Sequence, residues 1–403
     1  MGTALPRKTL RSGRGGVYNR RADGERHALN LQPDSEHAIL RDSAEKFLGD
    51  RCDYRFYQKT VASEAGWNRD LWDAFAELGW LGVPFAERLG GTGGGAVEIA
   101  ILMENFGKFL VIEPYLATVV LSGGLIAALG SEAQQEALLK PMIAGRARFA
   151  FAHEDTGAPA TATRGPGGYA LVGAKKVVLG APMADAMLIS ARIGAGLGVF
   201  VVAAGTPGVV VRPYRMVSGE RAADIELAGV TLPADALLGG NTDAGAAIDR
   251  VIEHAIAALS ADAVGAIAAM VQATVDYTKT RVQFGQPIAS FQAIQHRLVA
   301  MKVKEEEARA SALFATLALD GPAERRARAV AGAKAKIGRA ARSVHQEAIQ
   351  LHGAIGTTAE LSLGAYAKRL VAYEILFGAT HEHLSRYGAL IARPELAAEG
   401  LLS

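Results

Sequence analysis

The chain has 403 residues, of which 50% are hydrophobic, and its 43 basic and 41 acidic residues leave a formal charge of +2. So small a surplus gives no overall attraction to nucleic acid or anionic lipid. The single cysteine, Cys52, excludes a disulfide framework and a multi-cysteine zinc or iron–sulfur site. No apolar run reaches the roughly 18 residues of a membrane span, because Asp262 interrupts the best one, over 255–271. We expect a soluble, cytoplasmic protein of two to four domains, at about 100–200 residues per domain.

Residues 1–30 are predicted to form a basic N-terminal extension, because basic side chains lie among glycines and few apolar residues. The basic positions include Arg7, Lys8, Arg11, Arg14, Arg20 and Arg21. There is no apolar core of the kind that a secretory signal needs. The extension either contacts acidic surfaces or directs targeting, or it is a disordered tail without a role, and we favour the second interpretation.

Residues 31–145 are predicted to form a helical domain. Asp34 and Ser35 are suitable caps for its first helix. Apolar residues have helical spacing over 38–48, 71–81, 97–109, 117–129 and 132–139. The glycine run over 90–95 is predicted to be a turn, since no Gly-Lys-Ser/Thr follows it as in a phosphate-binding loop.

Residues 146–240 are predicted to form a β domain. Short β-favouring runs over 186–189, 199–202 and 208–211 alternate with glycines and prolines. This spacing is typical of an antiparallel barrel or sandwich. The glycine-rich stretch over 194–198 lacks GxGxxG and is predicted to be a hairpin turn.

Residues 241–390 are predicted to form a C-terminal helical bundle, followed by a tail over 391–403. Proline becomes rare, which allows long helices over 244–284, 291–319 and 324–352, with a fourth helix near the C-terminus. The predicted fold class is therefore α+β, mostly α: a helical domain, a β domain and a four-helix bundle.

Two stretches are specific enough to indicate a family. They are RVQFGQPIASFQ over 281–292 and QLHGAIG over 350–356, followed by Tyr366, Lys368 and Arg369. Together they resemble the acyl-CoA dehydrogenase family, and the resemblance covers about residues 31–388. It is greatest to the subfamily of small subunits of bacterial pimeloyl-CoA dehydrogenases, which share features of 113–120, 149–154 and 376–378.

The resemblance implies FAD bound between subunits. Arg281 is then expected to pair with the pyrophosphate and Gln292 to contact the adenosine half. The backbone of Gln350, Leu351, Gly353 and Ala354, contributed by the neighbouring subunit, is expected to approach the ADP part of the cofactor. The further cofactor contacts that the resemblance implies are Phe284, Ala379 and His381. The alternative, in which these are ordinary helix-end polar residues and turn glycines, is disfavoured because two motifs occur in order.

The usual proton-accepting glutamate of the family is missing. Its two known positions correspond to Phe377 and Ala255, and neither side chain can take a proton. Glu374 is the best nearby candidate, since it lies three residues before Phe377 and shares its face on a helix. A solvated surface glutamate is the competing interpretation.

The other titratable residues near these positions are weaker candidates for the base. Glu253 lies two residues before Ala255 and is expected to point to the opposite side of the helix. His381 and His383 are chemically suitable near neutral pH. Structural or surface roles are nevertheless expected for both histidines.

The β domain also departs from the family pattern. A Trp-Ile-Thr-type triplet is replaced by Val177-Val178-Leu179, and the usual Thr-Glu-Pro stretch by His153-Glu154-Asp155-Thr156-Gly157. Backbone groups over 151–157 and 177–179 either line the flavin or only close the barrel.

Three functions stay open. The chain is an FAD-dependent acyl-CoA dehydrogenase subunit whose partner chain supplies the base, or an enzyme with a displaced base, or a structural paralogue that assembles with an active chain. The resemblance implies an acyl-CoA substrate, an electron-transfer flavoprotein as acceptor and a homo- or hetero-oligomer. It implies no nucleic acid, membrane or metal. The acyl group is not specified.

Overall fold

The structure is a computed structural model that describes residues 35–392. The predicted extension over 1–30, and the predicted tail apart from residues 391 and 392, lie outside the described residues. Within the described part the chain forms short helices, then a sheet, then long helices. The predicted α+β, mostly α, fold class is confirmed.

Within residues 35–392, six short α-helices precede the sheet. They are α1 (Ser35–Arg51), α2 (Tyr54–Ala62), α3 (Arg69–Glu77), α4 (Ala96–Lys108), α5 (Gly124–Leu129) and α6 (Glu132–Ile143). Polar caps start several of them: Asn68 accepts the backbone N–H of Leu71 at 2.8 Å, ahead of α3. The predicted helix over 117–129 differs at its start, where Leu116–Gly123 is a buried π-helical segment that runs into α5.

A seven-stranded sheet follows. Its strands are β1 (Phe149–Ala152), β2 (Thr161–Gly165), β3 (Gly168–Leu179), β4 (Ala186–Ile193), β5 (Gly196–Ala203), β6 (Val209–Arg215) and β7 (Arg221–Leu232). Most pairs are antiparallel, and β4 and β5 form the predicted hairpin around Gly194. However, β4 pairs in parallel with both β1 and β2, so the sheet is mixed rather than wholly antiparallel. Neither of these strands is joined to β4 by a short hairpin, so no tight turn imposes an antiparallel direction.

The C-terminal region is built on long helices. They are α7 (Gly245–Thr280), α8 (Gln292–Ala318), α9 (Ala323–His352), α10 (Leu363–Ile375) and α11 (Thr380–Ile391). The predicted helix over 244–284 ends earlier, because Arg281 is extended and residues 282–287 form a two-stranded hairpin, β8 (Val282–Gln283) and β9 (Gln286–Pro287).

Glycines bring α4 and α7 into backbone contact. A Cβ atom on Gly107 would lie 1.8 Å from the carbonyl oxygen of Asp262, and one on Gly265 would lie 1.8 Å from that of Glu104. No other residue fits this crossing. The helices before the sheet and those after it therefore share one core.

Helix α7 is the central element of that core. Within the described residues it is the one helix that is long and apolar enough to cross a membrane by composition, but 83% of its most apolar window is buried inside the protein. Its hydrophobicity is thus explained by packing against neighbouring helices.

Candidate active site

A cavity of about 510 Å³ lies where the sheet meets α7, α10 and the start of α11. Phe151, Val177 and Leu179 line it from the sheet, and Leu121 and Ile252 line it from the helices. We call this space the cavity. Its walls are mostly apolar, as is typical of ligand sites, with a few polar groups at one side.

The segment joining α10 to α11 places Phe377 in the cavity wall. Phe377 has a φ of +56°, which is unusual for a bulky residue. Its carbonyl oxygen accepts a hydrogen bond of 2.8 Å from Nε2 of the buried His383. The carboxylate of Glu382 accepts the backbone N–H of Ala379 at 2.7 Å. This loop, residues 376–379, is therefore held in a defined shape although it carries no base.

One further buried side chain holds the end of α10, just before the loop. Lys334 on α9 donates to the backbone carbonyl of Tyr373, and its Nζ lies 3.8 Å from the centre of that tyrosine ring. Burial lowers the pKa of Lys334 to about 7. A lysine near a helix C-terminus satisfies a carbonyl that the helix itself leaves unpaired.

The structure places the remaining base candidates away from the cavity. Ala255 is fully buried in α7. Glu374 forms an ion pair with Arg342 on α9 and is not among the residues that line the cavity. Glu253 is buried against Arg326, at 2.5 Å, so both glutamates that sequence reasoning weighed are engaged by arginines.

Two carboxylates line the cavity, and sequence reasoning named neither as a base. Glu382 is the N–H acceptor at the start of α11, and Glu154 follows β1 with an exposed side chain. His383 donates to the carbonyl oxygen of Phe377 in the loop, which agrees with the structural role expected for it. His381 is exposed, one residue before Glu382 at the cavity's edge.

The two sequence motifs meet at a different place. Tyr277, one turn before Arg281, donates to the carbonyl of His352 at 3.2 Å, and the two rings stack with centroids 4.3 Å apart. This contact brings the motif over 281–292 next to the motif over 350–356. We call the exposed residues of these two stretches the cofactor surface.

The cofactor surface fits the anionic half of FAD. Arg281 and Gln292 are exposed, and Arg281 makes no ion pair with a described residue. Phe284 is 91% exposed at the tip of the hairpin. Gly353 has a φ of +67°, and nothing lies within 4 Å of where its Cβ would be, so a flat group can approach the backbone. A free guanidinium beside open backbone suits a pyrophosphate.

The predicted cofactor residues fall into two groups. Arg281, Phe284, Gln292, Gln350, Leu351, Gly353 and Ala354 belong to the cofactor surface or its immediate support. None of these seven is among the residues that line the cavity. Ala379 and His381 lie instead beside Gly378 and Glu382, which do line it. The predicted cofactor residues therefore lie at two places on this chain.

A buried charge cluster lies behind the cavity. Arg369 makes a bidentate pair with Asp262, at 2.7 and 2.5 Å, and its Nη1 atom has no partner among the described residues. Glu113 and Glu220 line the same small space of about 20 Å³. Burial raises the pKa of Glu113 to about 7, although backbone N–H groups donate to its carboxylate. Leu376 lines both this space and the cavity, so the cluster supports the loop.

A helical, β and helical chain with an apolar cavity at the junction and a separate exposed surface around Arg281 has the architecture of a flavin-dependent dehydrogenase. Residues 34–146 match the family model "Acyl-CoA dehydrogenase, N-terminal domain", and residues 245–389 match "Acyl-CoA dehydrogenase, C-terminal domain". Probable acyl-CoA dehydrogenase YngJ of Bacillus subtilis strain 168 is 32% identical over 348 residues, 81% of this chain and 90% of that protein. The chain belongs to the acyl-CoA dehydrogenase family, whose cofactor is FAD.

Other similar proteins cover the chain to different extents. Acyl-CoA dehydrogenase FadE27 of Mycobacterium tuberculosis is 33% identical over 237 residues, 58% of this chain and 62% of that protein, which is less than two thirds of its length. The ChsE4-ChsE5 complex from M. tuberculosis contains a chain with a TM-score of 0.84 and 26% identity, covering 90% of this chain and 99% of that one. The FAD complex of PigA has a TM-score of 0.83 and 25% identity, with 90% and 99% covered.

Proposed function

We propose that this chain is a subunit of an FAD-dependent acyl-CoA dehydrogenase and that a different chain supplies the base. The reaction is the α,β-dehydrogenation of an acyl-CoA thioester to the 2-enoyl-CoA. The observation that carries the proposal is the separation of two sites: the cofactor surface keeps its polar residues, whereas the cavity has Phe377 where a proton acceptor is needed.

The chemistry explains why this separation matters. Removal of the α-proton needs a positioned base, which contributes about 10²–10⁴-fold to the rate. When bound, FAD supplies the acceptor for the β-hydrogen. In this chain the Arg281 cation would bind the negatively charged pyrophosphate at the cofactor surface. The apolar side chains of Phe151, Leu121 and Leu376 exclude water from the cavity. The cavity's carboxylates do not suit the role, since Glu382 is bonded to backbone and Glu154 faces solvent.

The complex named ChsE4-ChsE5 supports the proposal, because there a similar chain assembles with a differently named one. We infer the same arrangement here: a hetero-oligomer in which the cofactor surface of this chain completes an FAD site in the partner. By family resemblance an electron-transfer flavoprotein is the acceptor.

Purification tests the proposal directly. The chain is produced alone and together with an acyl-CoA dehydrogenase chain encoded beside it, and the flavin spectrum and its bleaching by acyl-CoA are recorded. We expect flavin and bleaching in the pair only. Bleaching by the chain alone would overturn the need for a partner.

The alternative is a structural paralogue that assembles with an active chain and does not touch FAD. The replacement of the Trp-Ile-Thr-type triplet by Val177-Val178-Leu179 favours it. The flavin content of the assembled pair with Arg281→Ala distinguishes the two functions. Loss of flavin supports the proposed function, and unchanged flavin content supports the structural paralogue.

A further inference from the structure

A chain of polar side chains starts at a buried lysine and ends in the cavity. Lys175 on β3 is 1% exposed, and its Nζ has three partners: a carboxylate oxygen of Asp155 at 2.7 Å, the carbonyl of His153 at 2.9 Å and Oγ of Ser190 at 3.1 Å. An ammonium group has three N–H donors, so all of them are used. Asp155 also accepts the backbone N–H of Ala160 at 2.9 Å, which fixes the ion pair in place.

Lys175 determines the direction in which the hydroxyl group of Ser190 donates its hydrogen bond. Because Lys175 can only donate, the serine oxygen accepts from it, and the serine O–H turns to another acceptor. Two are near: Nδ1 of His153 at 3.1 Å and the carbonyl of Ala152 at 3.4 Å. The shorter contact assigns the hydrogen to Nδ1, since hydrogen bonds from hydroxyl groups are normally about 2.5–3.0 Å long. The remaining hydrogen of a neutral His153 is then on Nε2.

Both the charge state and the orientation of the His153 ring are constrained by its neighbours. Burial and the nearby Lys175 cation lower its pKa, which favours the neutral imidazole. The ring stacks on Phe151 with centroids 5.4 Å apart and an interplanar angle of 16°. His153 lines the same cavity as Phe377, and its Nε2 makes no hydrogen bond to a described residue.

We propose that His153 is a ligand-binding residue of the cavity, and that its Nε2–H donates to a carbonyl oxygen of the bound ligand. The carbonyl belongs either to the flavin ring or to the acyl thioester. An oriented neutral donor stabilises negative charge that develops on such an oxygen. Ser190 and Lys175 are positioning residues, because they set which nitrogen of the imidazole carries the hydrogen.

The first test observes the imidazole. The assembled protein, labelled with ¹⁵N-histidine, is compared with His153→Phe, which identifies the signal, and with Ser190→Ala. We expect one neutral tautomer near neutral pH, with hydrogen on Nε2, and a mixture of tautomers in Ser190→Ala. Hydrogen on Nδ1 in the unmodified protein would overturn the proposal. An unchanged tautomer in Ser190→Ala would show that Ser190 does not position the imidazole hydrogen, and would overturn it too.

The second test measures binding to the same protein in two arms. One arm uses FAD, and the other uses a saturated acyl-CoA beside an S-alkyl-CoA, a thioether that lacks the carbonyl. We expect His153→Phe to weaken one carbonyl ligand about tenfold, the effect of a single hydrogen bond, and to leave the thioether unchanged. His153→Gln, which keeps an N–H donor, is expected to restore part of the affinity.

Each arm has a defined meaning. Weakened FAD binding assigns the flavin carbonyl, and weakened acyl-CoA binding assigns the thioester. Unchanged affinity in both arms, or equal loss for thioester and thioether, would overturn the proposal. The inference rests on the proposed function only for its choice of ligands. A failure of partner-dependent flavin bleaching leaves the tautomer result unaffected, so the two failures are distinguishable.

Discussion

The loop over 376–379 and the cofactor surface differ in which of their groups are available to a ligand. In the loop, the positive-φ backbone of Phe377 is held by His383, and the side chain at that position cannot take a proton. The cofactor surface keeps its residue types, with Arg281 and Gln292 exposed and free to bind. The loop therefore closes the wall of the cavity without supplying a base, whereas the cofactor surface presents polar groups to solvent.

The largest effect is expected where the missing base is restored. Phe377→Glu places a carboxylate in the cavity wall, and a general base contributes about 10²–10⁴-fold. We expect faster flavin bleaching by acyl-CoA in the assembled pair, because this chain's cavity then holds a base in addition to the one that the partner supplies. Phe377→Gln is the matched control, since it is isosteric but takes no proton. Equal rates for the two variants would show that the position no longer faces substrate.

The buried cluster behind the loop predicts a dependence of stability on pH. The pKa of Glu113 is raised from 4.5 to about 7 in the folded chain. The folded state then holds a proton that the unfolded state releases, so this stabilisation is complete below pH 4.5 and is lost as pH rises through about 7. The shift corresponds to about 3 kcal/mol.

Glu113→Gln isolates this contribution, because glutamine does not titrate. The free energy of unfolding is measured for both proteins by denaturant titration across the same pH range. We expect the difference between them to fall by about 3 kcal/mol as pH rises. A constant difference would show that the pKa of Glu113 is the same in the folded and unfolded chain.

Arg281→Ala tests the cofactor surface. A hydrogen bond to a charged group contributes about 1.5–3 kcal/mol, so the affinity of the assembled protein for FAD is expected to fall roughly 10- to 100-fold. Lys279→Ala removes an exposed cation two residues away and serves as control. Similar losses in both variants would point to general electrostatic attraction instead of a specific contact.

His383→Ala tests the loop by a smaller effect. It leaves the carbonyl of Phe377 without its donor, at a cost of about 1–2 kcal/mol in the free energy of unfolding. We expect acyl-CoA binding to weaken and FAD binding at the cofactor surface to be unchanged. Ser385→Ala, on the exposed side of α11, is the control. Loss of both ligands together would contradict the separation of the two sites.

The smallest effect is expected from Glu374→Gln. Its carboxylate is paired with Arg342 on the surface of α9, and exposed ion pairs contribute about 0–1 kcal/mol. Turnover of the assembled enzyme should therefore be unchanged. A large fall in turnover with normal FAD content would restore Glu374 as the displaced base.

Local pattern was sufficient for the order of the helical, β and helical regions and for the two motifs, although it indicated only three of the seven strands of the sheet. The contact between Tyr277 and His352 joins the two motifs within one chain, whereas the sequence analysis drew the second motif from the neighbouring subunit. Local pattern could not reveal that Glu374 meets an arginine of another helix. Nor could it link His153, Lys175 and Ser190, which lie on or beside three strands and become neighbours only through the sheet.

The parallel pairing of β4 had no local signal either. Spacing and turn residues indicate strands and hairpins, whereas the direction of a pair joined by a long connection depends on tertiary packing. The buried charge cluster around Arg369 had no local signal either, because its members come from four separate segments of the chain.

The glycine crossing of α4 and α7 has a consequence for synthesis on the ribosome. Gly107 and Gly265 meet backbone to backbone, yet the whole sheet lies between them in sequence. The inner face of α4 therefore stays uncovered until α7 has also left the exit tunnel. Nascent chains stopped before α7 should expose apolar surface and recruit chaperones, and chains stopped after it should be protected from protease.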